Sequence, residues 1–161
     1  AEGEWIRLDF PCIPLAPLTL DPAYAEALGC TPLQTLAAGA KFLLVLGSEE
    51  EVQGLKPDFH ALRALPGRGL MVTAPSSRGG DDFVSRYFAP WVGVEEDPVT
   101  GSNHCALVPY WAERLGKTQL RARQISARGG ELVLELQGDR VWMSGQALTL
   151  WQGEWLLPPC P

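Results

Sequence analysis

Eight consecutive residues, Asp97-Pro98-Val99-Thr100-Gly101-Ser102-Asn103-His104, hold a carboxylate, two hydroxyls, a glycine and an imidazole. Such groups serve proton transfer and anion binding. Pro98 pushes the residue before it out of helical geometry, so the Asp97 carboxylate has a defined direction. From there Asp97 can donate or accept a proton or orient a substrate amine. It can equally cap a following helix, as can Ser102. Backbone N–H groups at a helix start are unsatisfied and carry partial positive charge. Thr100, Gly101 and Ser102 are thus expected to hold a substrate carboxylate without a basic side chain, and Gly101 lets a ligand approach closely.

His104 has an ordinary pKa near neutrality and suits acid or base work or substrate binding. Its place two residues into an apolar helix also fits a hydrogen-bonded structural histidine. His60, in Asp58-Phe59-His60, reads as surface or packing. Cys105 lies near the helix start, where thiol pKa values fall, but Ala106 and Leu107 beside it indicate burial. Cys12, Cys30, Cys105 and Cys160 form no Cys-x-x-Cys pair, so no metal site is expected and the thiols read as free and mostly buried. Gly67-Arg68-Gly69 and Arg128-Gly129-Gly130 lack the spacing of a phosphate-binding loop and read as turns.

The element that must position this segment is a long helix, roughly Ser102 to Leu115, ended by Gly116. Cys105 to Ala112 is apolar all round, the pattern of a helix buried on every side, although Pro109 removes a hydrogen bond within it. A curved sheet wrapped around it satisfies that pattern. Upstream, Trp5 to Phe10 alternates as a strand stopped by Pro11 and Pro14. Asp21-Pro22 opens a short helix through Leu28 with Gly29 at its stop. Lys41 to Leu46 is a buried strand, Ser48 to Glu51 an acidic turn, and Lys56-Pro57-Asp58 leads into a helix ending near Leu65-Pro66-Gly67. Gly69 to Ala74 and Phe83 to Phe88 are further strands. Leu120 to Ile125, Leu132 to Gln137, Val141 to Ser144 and Ala147 to Trp151 predict an antiparallel meander.

With 161 residues, 46% hydrophobic and 20% charged, residues 1–161 are expected to form one compact domain with a genuine core, and its strand and helix candidates make that domain α+β. A net charge of -6 without a basic run argues against gripping nucleic acid or an anionic membrane. No apolar stretch nears the roughly 20 residues of a membrane span. The opening Ala1-Glu2-Gly3-Glu4-Trp5 has no signal-peptide character, so a cytoplasmic location is expected. The six tryptophans are scattered, and most are expected in the core.

Ser85-Arg86-Tyr87-Phe88-Ala89-Pro90, then Glu96-Asp97-Pro98-Val99-Thr100-Gly101-Ser102 and His104, then Gln124, Ser126 and Arg128-Gly129-Gly130 resemble the signature of the C-terminal half of phenazine-biosynthesis-like (PhzF-like) isomerases. The resemblance is dense from Phe83 to Gly145 and looser from Trp5, and Arg86 to Val94 is especially similar to animal members. It implies half of a diaminopimelate-epimerase-like fold, a barrel-like, mostly antiparallel sheet around one central helix, with the active site in a cleft between two such halves. Cysteine-dependent racemases of that fold use a thiol where this chain has Thr100, which argues against a two-thiol mechanism. The implied chemistry is double-bond isomerisation or epimerisation by proton transfer on a small carboxylate, without metal or organic cofactor. In it Asp97 assists the proton transfers, Ser102 hydrogen-bonds the substrate and the Gly101 and Ser102 amides bind its carboxylate. Nothing here resembles the family's glutamate base or its facing turn, both of the N-terminal half, and Asn103 stands where alanine is common. The resemblance thus implies a matching N-terminal half as partner, without which the chain is expected to be inactive. The alternative is a non-catalytic carboxylate-binding or interaction module, with a second copy imitating the missing half.

Overall fold

The computed structural model describes residues 5–147 and 151–153. In chain order the strands are β1 (Trp5–Pro11), β2 (Ala16–Pro17), β3 (Gln34–Ala38), β4 (Lys41–Val45), β5 (Leu70–Pro75), β6 (Phe83–Ala89), β7 (Val94–Glu96), β8 (Gln119–Gln124), β9 (Gly130–Gln137) and β10 (Arg140–Gln146). The helices are α1 (Pro22–Leu28), α2 (Glu49–Gly54), α3 (Phe59–Ala64) and α4 (Gly101–Leu115). All ten strands among the described residues join one sheet in the order β1-β10-β9-β8-β6-β5-β4-β3-β2, with β7 paired to β6. Only β4 with β5 and β6 with β8 run parallel, so the sheet is mostly antiparallel as expected.

Strand alternation divides the interior into two cores. In β4, Leu43 and Val45 face one side and Leu44 the other; in β6, Phe83, Tyr87 and Ala89 oppose Val84 and Phe88. One face wraps α4, whose Cys105, Ala106, Leu107 and Val108 are nearly or fully buried against residues from β3 through β10. The all-round apolar stretch expected of a sheathed helix is therefore used as such. The other face carries α1, α2 and α3. Each fully buried Leu or Val contributes about 1.5–3 kcal/mol relative to exposure.

Among the described residues the sheet is not a closed barrel. It ends at β1 and β2, and the gap between them is bridged by the chain itself, which leaves β1, crosses α4 and pairs as β2 with β3. That crossing resolves the cost of Pro109. Proline has no N–H to give the carbonyl four residues back, and the Ile13 N–H donates to that Cys105 oxygen at 2.9 Å instead.

The first helix and its caps match expectation: Asp21 accepts from the Ala23 N–H, and Gly29 adopts a left-handed φ of 68°. The acidic turn at Ser48–Glu51 is instead the start of α2. Ser48 Oγ accepts from the Glu51 N–H, the Glu51 carboxylate accepts from the Gly47 N–H, and three acidic residues sit at the positive helix end. The short strands β2, β3 and β7 were not expected. The meander holds for β8, β9 and β10, while the strand expected at Ala147–Trp151 falls largely outside the described residues. Among the described tryptophans Trp111 is buried, whereas Trp5 and Trp151 are exposed. Of the described thiols only Cys105 is buried; Cys12 and Cys30 are half-buried, and Cys160 lies outside the described residues. Among the described residues no helix is long and apolar enough to cross a membrane.

Candidate functional site

Three supports converge on the turn that carries Asp97. The first is β6: the Asp97 N–H donates to the Tyr87 carbonyl at 3.0 Å, and Arg86 clamps neighbouring Glu96 through two bonds of 2.7 and 2.9 Å. Arg86 also reaches the Val52 and Leu55 carbonyls at the end of α2, so the strand entering the turn is tied to the opposite layer. The second is Gln124 at the end of β8, 1% exposed. Its Oε1 accepts from the Thr100 N–H at 2.7 Å, and its Nε2 donates to the Asp97 carbonyl at 2.5 Å and to Thr100 Oγ1 at 3.2 Å. The third is the Ser126–Gly130 turn, where Ser126 Oγ donates to the Pro98 carbonyl at 2.8 Å and accepts from the Gly129 N–H. A side chain on Gly130 would collide with Val99, so glycine here admits the Asp97 turn.

Within the turn the Thr100 hydroxyl donates to Asp97 Oδ2 at 2.5 Å. The N-cap of α4 is Thr100, and no side chain caps the helix. Asp97 and Ser102, both open to the capping reading, are therefore not caps. Thr100, expected to bind substrate through its amide, is 8% exposed and has that amide held by Gln124; it orients Asp97 instead. Gly101 and Ser102 are exposed, and within the described chain their N–H groups find no acceptor. A Cβ on Gly101 would meet only Met143 Sδ at 3.9 Å, an ordinary contact, so packing does not demand glycine there.

His104, expected among the substrate-binding residues, is fully buried. Its Nδ1 lies 2.9 Å from the Thr100 carbonyl, and burial pushes its pKa down to about 4 against that hydrogen bond. Its Nε2 has no partner among the described residues. It braces the turn from below. Cys105 behaves as the apolar reading required, its thiol raised chiefly by burial, and His60 is on the surface.

Lys41 was not anticipated. At the start of β4, it donates to Ser102 Oγ at 2.7 Å and to Asn103 Oδ1 at 3.0 Å, with its ammonium 4.7 Å from the Tyr87 ring centre. Tyr87 can lie there because a side chain on Gly69 would run into its phenol. A lysine opening a hydrophobic strand carries no local sequence signal; only the sheet brings it to residues 61 positions away. A groove of about 860 Å³ at the other end of α4, lined by Cys12, Leu36, Pro109 and Tyr110 among others, contains none of the expected site residues. Among the described residues no group of three or more His, Cys, Asp or Glu is placed to hold a metal ion.

Residues 17–153 match the family model described as phenazine biosynthesis-like protein. The chain is 49% identical over 152 residues to an uncharacterized isomerase of Pseudomonas aeruginosa, covering 94% of this chain and 58% of that protein. It is 41% identical over 170 residues to phenazine biosynthesis-like domain-containing protein 2 of Mus musculus, covering 94% and 59%. A crystal structure of a phenazine biosynthesis protein of the PhzF family from Enterococcus faecalis superimposes with a TM-score of 0.87 at 42% identity, over 98% of this chain and 60% of that one. The chain thus spans about three-fifths of the length of these relatives. On the family-model match and the likeness to these relatives, this chain belongs to the phenazine biosynthesis-like (PhzF-like) family.

Proposed function

We propose that this chain is the C-terminal domain of a PhzF-like isomerase or epimerase, forming one wall of a site that moves a proton between carbons of a small carboxylate. The observation that carries this reading is the Asp97 carboxylate, held by Thr100 and not used as a cap, beside the open amides of Gly101 and Ser102. In the reaction the electron pair of a C–H bond passes into a system conjugated with the substrate carboxylate, and a proton returns at another carbon or the other face. Helix N-terminal donors at the carboxylate stabilise the charge that develops, since they are oriented before the reaction begins. Asp97 carries one of the protons. The second acid or base comes from the segment that the relatives have beyond this chain's match, so the chain alone is inactive. Neither step calls on a metal or organic cofactor.

The test is solvent deuterium incorporation, followed by mass spectrometry, into a panel of small aromatic and amino-acid carboxylates. The isolated chain is expected to exchange no carbon-bound proton. Mixing or fusing it with the part of the Pseudomonas aeruginosa relative that it does not match is expected to start exchange. Robust exchange by the isolated chain, or none in the completed protein, overturns the reading.

A further inference from the structure

The mouth of α4 gathers several hydrogen-bond donors next to the Asp97 carboxylate, whose Oδ2 is taken by Thr100. An ammonium has three N–H donors, and Lys41 directs two of them to Ser102 Oγ and Asn103 Oδ1. One is left for a ligand. Because Ser102 Oγ accepts from Lys41, its own proton must point elsewhere, and on an exposed residue that direction is outward. The Gly101 and Ser102 amides face the same opening. A further sign comes from Asn103, 1% exposed: its oxygen is engaged by Lys41, while Nδ2 of the same carboxamide has no partner among the described residues. A buried donor left without an acceptor is unfavourable.

We propose that Lys41 is the anion-selecting residue of this site, holding a substrate carboxylate against the Ser102 hydroxyl and the Gly101 and Ser102 amides. The assignment deepens the proton-transfer reading and rests on it for treating the anion as part of a substrate; anion binding itself needs no turnover. The neighbours favour a monoanion. Burial acts most strongly on the Lys41 ammonium and lowers its pKa, Cys105 and Asp97 on the turn before α4 raise it, Arg68 on the loop before β5 lowers it, and the Tyr87 ring lies against it. A site with one engaged ammonium beside a carboxylate suits a carboxylate ligand better than a phosphate dianion.

The experiment is an amide chemical-shift titration of the nitrogen-15-labelled chain near neutral pH. Its probes are sodium benzoate, the neutral isostere benzamide, and inorganic phosphate. Benzoate is expected to move the Gly101 and Ser102 resonances and the Lys41 side-chain resonance, and benzamide to leave them unchanged. Lys41→Met is expected to weaken benzoate binding by about threefold to fivefold, the loss of one partly exposed charge partner, with the resonances of β5 and β6 in place. Unchanged affinity in Lys41→Met, no benzoate response in the native chain, or tighter binding of phosphate would each overturn the proposal. The native Lys41 resonance decides the matter even if the variant fails to fold. Deuterium exchange is read separately, so failure of the isomerase reading leaves this outcome distinct.

Discussion

The Thr100 hydroxyl donates to Asp97 Oδ2 across 2.5 Å, while the amide of the same threonine is held by Gln124. One residue thus fixes both the carboxylate and the helix start behind it. Thr100→Val keeps the shape and removes the hydroxyl, so Asp97 gains rotational freedom. Proton transfer in the completed protein is expected to fall about tenfold to a hundredfold, as small misplacements of a reacting group do, with little change in the thermal midpoint. A variant that exchanges protons at the native rate would show that the contact does not orient Asp97.

Gln124 and Gly130 position the turn from beneath. Gln124→Leu leaves the Thr100 N–H without its acceptor, at an expected cost of about 1–3 kcal/mol in urea denaturation. Gly130→Ala drives a methyl into Val99 and is expected to cost a similar amount through overpacking. Ala127→Ser, on an exposed neighbour, should change neither measurement.

Two buried groups make acidification destabilising in separate windows. His104 is lowered by burial to about 4 in the folded chain, from an ordinary 6.5. Between those values the unfolded chain binds more protons, so stability falls as pH drops from 6.5 toward 4, by about 3 kcal/mol at most. Glu49 is raised by burial but pulled further down, to about 2, by the Ser77 amide, Arg123 and the Ser76 and Ser77 hydroxyls. Its contribution is present above 4.5 and lost between 4.5 and 2. Urea titrations across pH should show His104→Gln flattening the first window alone and Glu49→Gln the second alone.

The strap over α4 gives another expectation. Pro109→Ala restores a helical N–H that competes with Ile13 for the Cys105 carbonyl. The gain should fall well short of the roughly 3 kcal/mol that separates alanine from proline in a helix interior. Hydrogen exchange at the Ile13 amide should quicken. An unchanged Ile13 amide would mean that the strap is indifferent to the helix bond.

Much of this fold was legible because its signals are local. Asp21-Pro22 and Gly29 bound α1, the alternation from Trp5 to Phe10 marks β1, and the apolar run from Cys105 to Ala112 announces a sheathed helix. Short elements were harder: α2 hides in three consecutive glutamates, and β7 has three residues of which only tertiary pairing makes a strand. At the candidate site, the place of Asp97, Gly101 and Ser102 at the helix mouth could be read from their spacing. Lys41 could not, because the contact that gives it meaning is made across the sheet. Nor could the burial of His104, since a histidine four residues after Thr100 on a helix turns toward the core or the mouth according to the sheath around it.

The most direct test of the central claim replaces Asp97 by Asn in the completed protein and measures solvent deuterium entering the substrate carbon. The Thr100 contact can survive in that variant, so loss of exchange would report the carboxylate and not the fold. A fall of about a hundredfold or more, the usual scale for a removed acid or base, with an unchanged thermal midpoint is the predicted result. Exchange at the native rate would contradict the assignment of Asp97 to proton transfer.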